Sequence, residues 1–131
     1  MALTRPRYSQ IYDTDYKQSV KAATTADVGN LLAGGNMTDT VDNVSLAVLD
    51  RILVKNQTDA TQNGIYRVIT LGTGSNGTWE RTLDASTGDR MTSGMTTIIE
   101  QGDTNSGKTF RLTTADPITV GTTSLTFTDP F

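Results

Sequence analysis

Eight consecutive residues, Gly102-Asp-Thr-Asn-Ser-Gly107-Lys108-Thr109, satisfy the G-x-x-x-x-G-K-[ST] string of a phosphate-binding loop at every position. Such a loop works by wrapping backbone N–H groups around a polyphosphate, with the Lys on the terminal phosphates and the hydroxyl on Mg²⁺. It also needs a buried strand before it and a helix opening after it, whose N-terminal N–H groups and dipole face the anion. Residues 95–101 are apolar enough to supply the strand. After Lys108, however, come Thr-Phe-Arg-Leu-Thr-Thr and then Pro117, an alternating, β-branched stretch in which no helix of useful length starts. No second βαβ unit with a magnesium-holding Asp accompanies it. The string therefore reads as a Gly/Asn hairpin loop ending in a strand Lys, and no nucleotide or other cofactor is expected.

Other chemistry is scarce. The chain has no Cys and no His, so it lacks thiolate nucleophiles, the usual zinc ligands and the side chain that titrates near neutral pH. Asp84 with Asp89 or Asp103 are the carboxylates that an acid/base pair or a calcium site would draw on. None has EF-hand or metal-ligand spacing, and Asp in Gly-rich loops commonly accepts its own backbone N–H groups. No enzyme and no metal site is expected. Trp79, the single Trp, is the one candidate glycan contact, with the 72–77 loop beside it. A lone Trp on an alternating strand is more commonly core or rim.

The net charge of −3 supplies no field for polyphosphate, so no nucleic-acid partner is expected. No apolar run approaches the ~18 residues of a membrane span, and residues 1–16 lack a signal peptide's apolar stretch. Synthesis in the cytoplasm is the expectation. The sequons at Asn36, Asn43, Asn56 and Asn76 then read as loop composition.

The elements that must position these residues are strands. Thr is the commonest residue type, and with Val and Ile it makes a β-branched chain suited to pleated, half-solvated surface. Leu125 and Phe127 alternate with Ser124, Thr126 and Thr128; Phe110 and Leu112 with Thr109, Arg111 and Thr113; Trp79, Arg81 and Leu83 with Thr78, Glu80 and Thr82. Residues 51–55 and 65–70 are denser in apolar side chains, as for strands covered on both faces. Turn-rich segments at 56–64, 72–77, 85–94, 102–108 and 121–123 are short enough to close antiparallel neighbours, and Pro117 is placed at a strand start. The fold expected is all-β: a small antiparallel sandwich or barrel made of consecutive hairpins, with an N-terminal arm. Only 35% of residues are hydrophobic, so the core is thin and burial against a second subunit is expected to supplement it.

Residues 1–18 differ in composition from the single β-domain over residues 19–131. Arg5, Arg7, Tyr8, Ile11, Tyr12 and Tyr16 form a basic and aromatic set in which the tyrosines recur every four residues. A helix would line them on one face, and an extended arm would present them in turn. Neither forms its own core, so the segment is either a frayed terminus or a docking arm that buries its rings against a partner.

Val20-Lys-Ala-Ala-Thr-Thr25, Val44-Ser-Leu46, Asp50-Arg-Ile-Leu-Val-Lys-Asn-Gln-Thr58, Asn63-Gly-Ile-Tyr66, Trp79-Glu-Arg81, Gly102 with Asn105-Ser-Gly107, and Gly121-Thr-Thr-Ser-Leu-Thr-Phe127 occur in this order. Together they resemble a domain that recurs in tailed-bacteriophage structural proteins, chiefly tail-fibre and other virion-surface appendage proteins. The resemblance covers residues 19–127. Leu49 stands where that domain usually has Gly, and Phe110 where it often has Trp. The resemblance implies a virion component assembled in the host cytoplasm, with other virion proteins as partners and trimers as a common state. It leaves open a short tail-fibre or baseplate-associated component, a capsid decoration or head-fibre protein, and a module that binds a host-surface glycan.

Overall fold

The densest apolar runs become the centre of the molecule. The computed structural model describes residues 15–32, 35–73 and 76–131. Among them run nine short strands: β1 (Ala22–Ala23), β2 (Thr40–Val41), β3 (Val44–Ser45), β4 (Arg51–Val54), β5 (Gly64–Thr70), β6 (Thr78–Arg81), β7 (Thr96–Ile98), β8 (Thr109–Leu112) and β9 (Phe127–Thr128). They form a four-stranded sheet in the order β1-β4-β5-β6, a three-stranded sheet β7-β8-β9 and the hairpin β2-β3, none closed into a barrel. Two short 3₁₀ turns, Ala60–Gln62 and Leu83–Ala85, are the only helical elements among the described residues.

The four-stranded sheet is apolar on both faces. Ala23, Leu53 and Ile65 join one buried cluster, and their neighbours Ala22, Ile52, Val54, Tyr66 and Val68 join another. This is the two-sided burial that the density of residues 51–55 and 65–70 predicts. The first cluster is completed by Phe110, Leu112 and Phe127 from the three-stranded sheet, with Met91, Met95, Ile99 and Leu125. The second is covered by Val41 and Val44 of the β2-β3 hairpin, with Leu31, Met37 and Leu46. Leu125 and Phe127 are buried while Thr126 and Thr128 are exposed, so the alternation read at the end of the chain is realised.

Four hairpin pairings, β4-β5, β5-β6, β7-β8 and β8-β9, are antiparallel as expected. The run of hairpins is nevertheless broken at β1, which pairs with β4 in parallel. The β6 alternation also stops early. Thr82 is buried and Leu83 exposed, because Thr82 Oγ1 donates to Asp84 Oδ1 at 2.6 Å and turns the chain into the second 3₁₀ turn. Pro117 starts no strand; it lies in the loop between β8 and β9. Leu49 adopts a left-handed φ of 73° and donates its N–H to Val68 O at 2.8 Å, so it holds the backbone conformation that Gly takes without steric cost.

Residues 15–24 are the joint between the two larger sheets. Lys17 N donates to Thr96 O and Val20 N to Ile98 O, each at 2.9 Å, and Glu100 N returns to Val20 O at 2.9 Å. One residue later the same segment changes partner: Lys21 N donates to Arg51 O at 2.8 Å and Thr24 N to Leu53 O at 2.9 Å. The Arg51 guanidinium fastens the change-over. It makes two parallel bonds to Asp84 (3.1 and 3.0 Å), and also donates to the carbonyls of Gln18 (3.0 Å) and Ser19 (3.3 Å). Residues 15–18, assigned to the arm on sequence, are thus hydrogen-bonded into the domain.

Burial pushes the Asp84 carboxyl up, but hydrogen bonds from Arg51 and Thr82 and the charges of Arg51 and Lys17 outweigh it, leaving Asp84 below the usual carboxylate range. Because its carboxyl is more acidic folded than unfolded, the pair's contribution is fully present above the unfolded value of about 3.9 and is lost as pH falls through the folded one. Arg51→Met strands a largely buried carboxylate. It should lower unfolding stability in urea by about 2–4 kcal/mol, the lower part of the range for breaking a buried pair because solvent reaches this one. The deficit should shrink as the titration is moved into the acid range; a deficit that stays constant there would show that Asp84 does not carry it.

Candidate docking surface

The P-loop string becomes a turn over residues 103–107 between antiparallel β7 and β8, with no helix after it. Its N–H groups already hold an anion, the chain's own Asp42. Thr104 N donates to both Asp42 carboxylate oxygens at 3.0 Å and Asn105 N to Oδ2 at 2.9 Å. Gly102, at φ 130°, has no side chain because a Cβ there would run into the Asp42 carboxylate. Asp42 and Asn43, with φ of 48° and 62°, are the two-residue turn of the β2-β3 hairpin, the geometry that Asp and Asn tolerate best after Gly. The buried Asn105 amide reaches the carbonyls of Ala23 and Thr24 at 3.3 and 3.4 Å. The loop is a latch between the small hairpin and the three-stranded sheet. Beside it, Lys55 Nζ lies 4.9 Å from the Phe110 ring centroid; burial and then the Lys108 charge lower the Lys55 pKa, against Asp42.

The motif residues are occupied in the same way. Asp50 accepts from Ala47 N at 2.7 Å and pairs with Lys21 at 3.1 Å. The Gln57 side chain accepts from Val28 N (2.9 Å) and donates to Gly29 O (2.7 Å), pinning the 27–31 loop. Asn63 accepts from Gln57 N (3.0 Å) and donates to Leu125 O (2.9 Å). Gly64, at φ 149°, leaves room for the Arg81 guanidinium, which a Cβ would strike. Arg81 donates to the carbonyls of Asn63 and Thr61, each at 2.9 Å, and lies 5.0 Å from the Tyr66 ring centroid. Tyr66 donates its hydroxyl to Gln62 O at 2.6 Å, and burial raises its pKa against the opposing charge of Arg81. These residues hold loops and strands in place.

The candidate glycan contact at Trp79 is corrected by its burial. Trp79 is 6% exposed and clusters with Met37 and Val68, its Nε1 without a hydrogen-bond partner, so no ring face is open for stacking a sugar. Of the carboxylates singled out, Asp84 is held by Arg51 and Asp103 accepts from Asn43 Nδ2 at 3.2 Å, while Asp89 belongs to neither contact. Among the described residues no cluster of acidic side chains could hold a metal ion.

Arg5, Arg7, Tyr8, Ile11 and Tyr12 lie outside the described residues. Tyr16 lies within them, 83% exposed, beside β7 through its bridge to Thr96. It forms one wall of an open recess of about 500 Å³ on the outer face of β7-β8-β9, with Thr96, Ile98, Thr109, Arg111 and Phe131 among its other lining residues. Ile98, at 54%, and Phe131, at 100%, are also exposed. Sequence reasoning placed Ile98 in a strand and Arg111 on a wet face. It did not bring them together with Tyr16 and Phe131, because the parallel bridge of residue 16 to β7 spans eighty positions that no local pattern links.

Comparison with protein-family models, with curated proteins and with solved structures finds no match.

The latch and the Arg81 cover are each open to one substitution. Asp42→Ala leaves two backbone donors without their acceptor and should cost about 1–3 kcal/mol, with faster amide exchange at Thr104 and Asn105. ATP titration of this variant, of wild type or of Lys108→Ala should give no saturable binding; micromolar affinity lost in Lys108→Ala would restore the phosphate-loop reading. Gly64→Ala should destabilise by about 1–3 kcal/mol through strain and displacement of Arg81, read from the urea midpoint.

Proposed function

We propose that this chain is a structural protein of a tailed-bacteriophage particle, a short tail-fibre or baseplate-associated component that docks onto a neighbouring virion protein through its N-terminal arm and performs no catalysis. On this reading its four-stranded and three-stranded sheets pack as a small sandwich, it assembles in the host cytoplasm, and its place is the virion. The observation that carries the proposal is the way residues 15–24 enter the domain. They bond to β7, then to β4, and Arg51 ties their carbonyls to Asp84. A pull on the arm is therefore shared by both sheets instead of fraying one edge, which suits an attachment point better than a catalytic site. The ordered motif set supports the same reading, because its Arg51, Gln57, Asn63, Arg81 and Asn105 side chains all bond within the framework.

A capsid decoration or head-fibre protein is the second reading, favoured by the short chain and its net charge of −3. Imaging of labelled particles separates them: decoration gives many copies over the head, a fibre few at the tail.

Docking is tested by deleting residues 1–14. Residues 15–18 must be kept because Thr96, Thr97 and Arg51 bond to them. The truncated chain should keep its Tm and fail to enter particles; incorporation at the wild-type level would overturn arm docking.

A further inference from the structure

Arg111 differs from the other arginines of the described residues. Arg51 pairs with Asp84 and Arg67 with Glu80; Arg81 donates to the Asn63 and Thr61 carbonyls and Arg90 to the Leu83 carbonyl. The Arg111 side chain makes no hydrogen bond or ion pair. It is exposed on β8, opposite Thr96 of β7 and Thr128 of β9, and it lines the recess together with Ile98 and Phe131. An unpaired guanidinium thus stands beside an exposed aliphatic floor and a fully exposed ring, apolar surface that folding of one chain leaves in water.

Two residues before the exposed ring, Asp129 carries a carboxylate, the charge complement of Arg111. Asp129 Oδ1 accepts from Phe131 N at 3.0 Å, a turn that fixes the ring relative to a carboxylate and leaves the other oxygen for an outside donor. A ring beside a carboxylate is the group that an aliphatic floor beside a free guanidinium accepts. We propose that the outer face of β7-β8-β9 is a self-association surface for a second copy of this chain. Phe131 of each copy seats over Ile98 of the other, and Asp129 faces Arg111 across a two-fold axis.

In the proposed two-fold contact each copy gives one donor and one acceptor, so both pairs form at once and the assembly closes at two subunits, not at the trimer that the phage resemblance implies. Aromatic rings bury ~150–250 Å² each, so Phe131 and Tyr16 from both copies supply ~600–1,000 Å². With Ile98 and Arg111 added, that approaches the ~1,200 Å² lower bound of stable interfaces. An interface of this size falls in the weak, reversible class. It concerns contacts of the domain with itself and stands whether or not the arm docks on a particle.

Sedimentation velocity of the purified full chain across the micromolar range tests it. The expected result is a reversible monomer–dimer equilibrium. Phe131→Ala and Arg111→Asp should each weaken it by about tenfold or more, and Arg111→Asp combined with Asp129→Arg should restore it. Thermal melts of the single variants should match wild type, since both side chains are exposed, and deletion of residues 1–14 should leave the dimer intact. A monomer at every concentration, a trimer, or single variants that associate like wild type would overturn the proposal. Failure of the charge swap to restore association would overturn the two-fold pairing. Loss of the dimer on deleting residues 1–14 would make the N-terminal segment the occupant of the recess instead.

Discussion

Residues 15–24 bond to both larger sheets, and one guanidinium holds that segment where it changes sides. Arg51 begins β4, yet its side chain spans the carbonyls of Gln18 and Ser19 and the carboxylate of Asp84. The partners come from two separate stretches of chain, residues 18–19 and Asp84, so the full set of bonds forms only when both are in place. Charge-assisted bonds of this kind are stronger and more directional than neutral ones. The parallel strand β1 and the residue that precedes this segment's change of partner, Val20, lie just after the anchored residues 18 and 19 in sequence.

Side-chain amides do much of the work that a larger core would do elsewhere. Gln57, Gln62, Asn63 and Asn105 are buried, and each bonds a backbone group of a distant segment. Such groups are costly to bury unpaired and specify one arrangement when paired. A chain with few aromatics and short strands thereby fixes its loops without long helices or disulfides. Asp42 belongs to the same economy of means: a turn carboxylate fills the donors of a neighbouring turn, and two loops that are each weak alone become one unit.

The outer side of β7-β8-β9 gathers Tyr16, Ile98, Arg111 and Phe131 around a recess, while the outer side of the four-stranded sheet is covered by the β2-β3 hairpin and its neighbours. Residues 15–17 bond to β7 beside that recess.

By itself the sequence determined the all-β class, six of the strands and the hairpin character of residues 102–109, because these depend on β-branched composition, apolar density, period-two alternation and turn residues, all of them local. The short Asp42-Asn43 hairpin was legible in principle from its turn pair flanked by Thr40-Val41 and Val44-Ser45, a signal of only six residues. The parallel pairing of β1 with β4, the early end of β6, the burial of Trp79 and the recess were decided by tertiary structure. Each depends on a partner far away in the chain: Arg51 for residues 18 and 19, Asp84 for Thr82, Met37 for the environment of Trp79, β7 for Tyr16. Alternation tells a strand that it has two faces, but which face meets water is set by what packs against it. The anion in the P-loop string is the clearest case: the string supplies the N–H donors, and only the fold brings Asp42 to them.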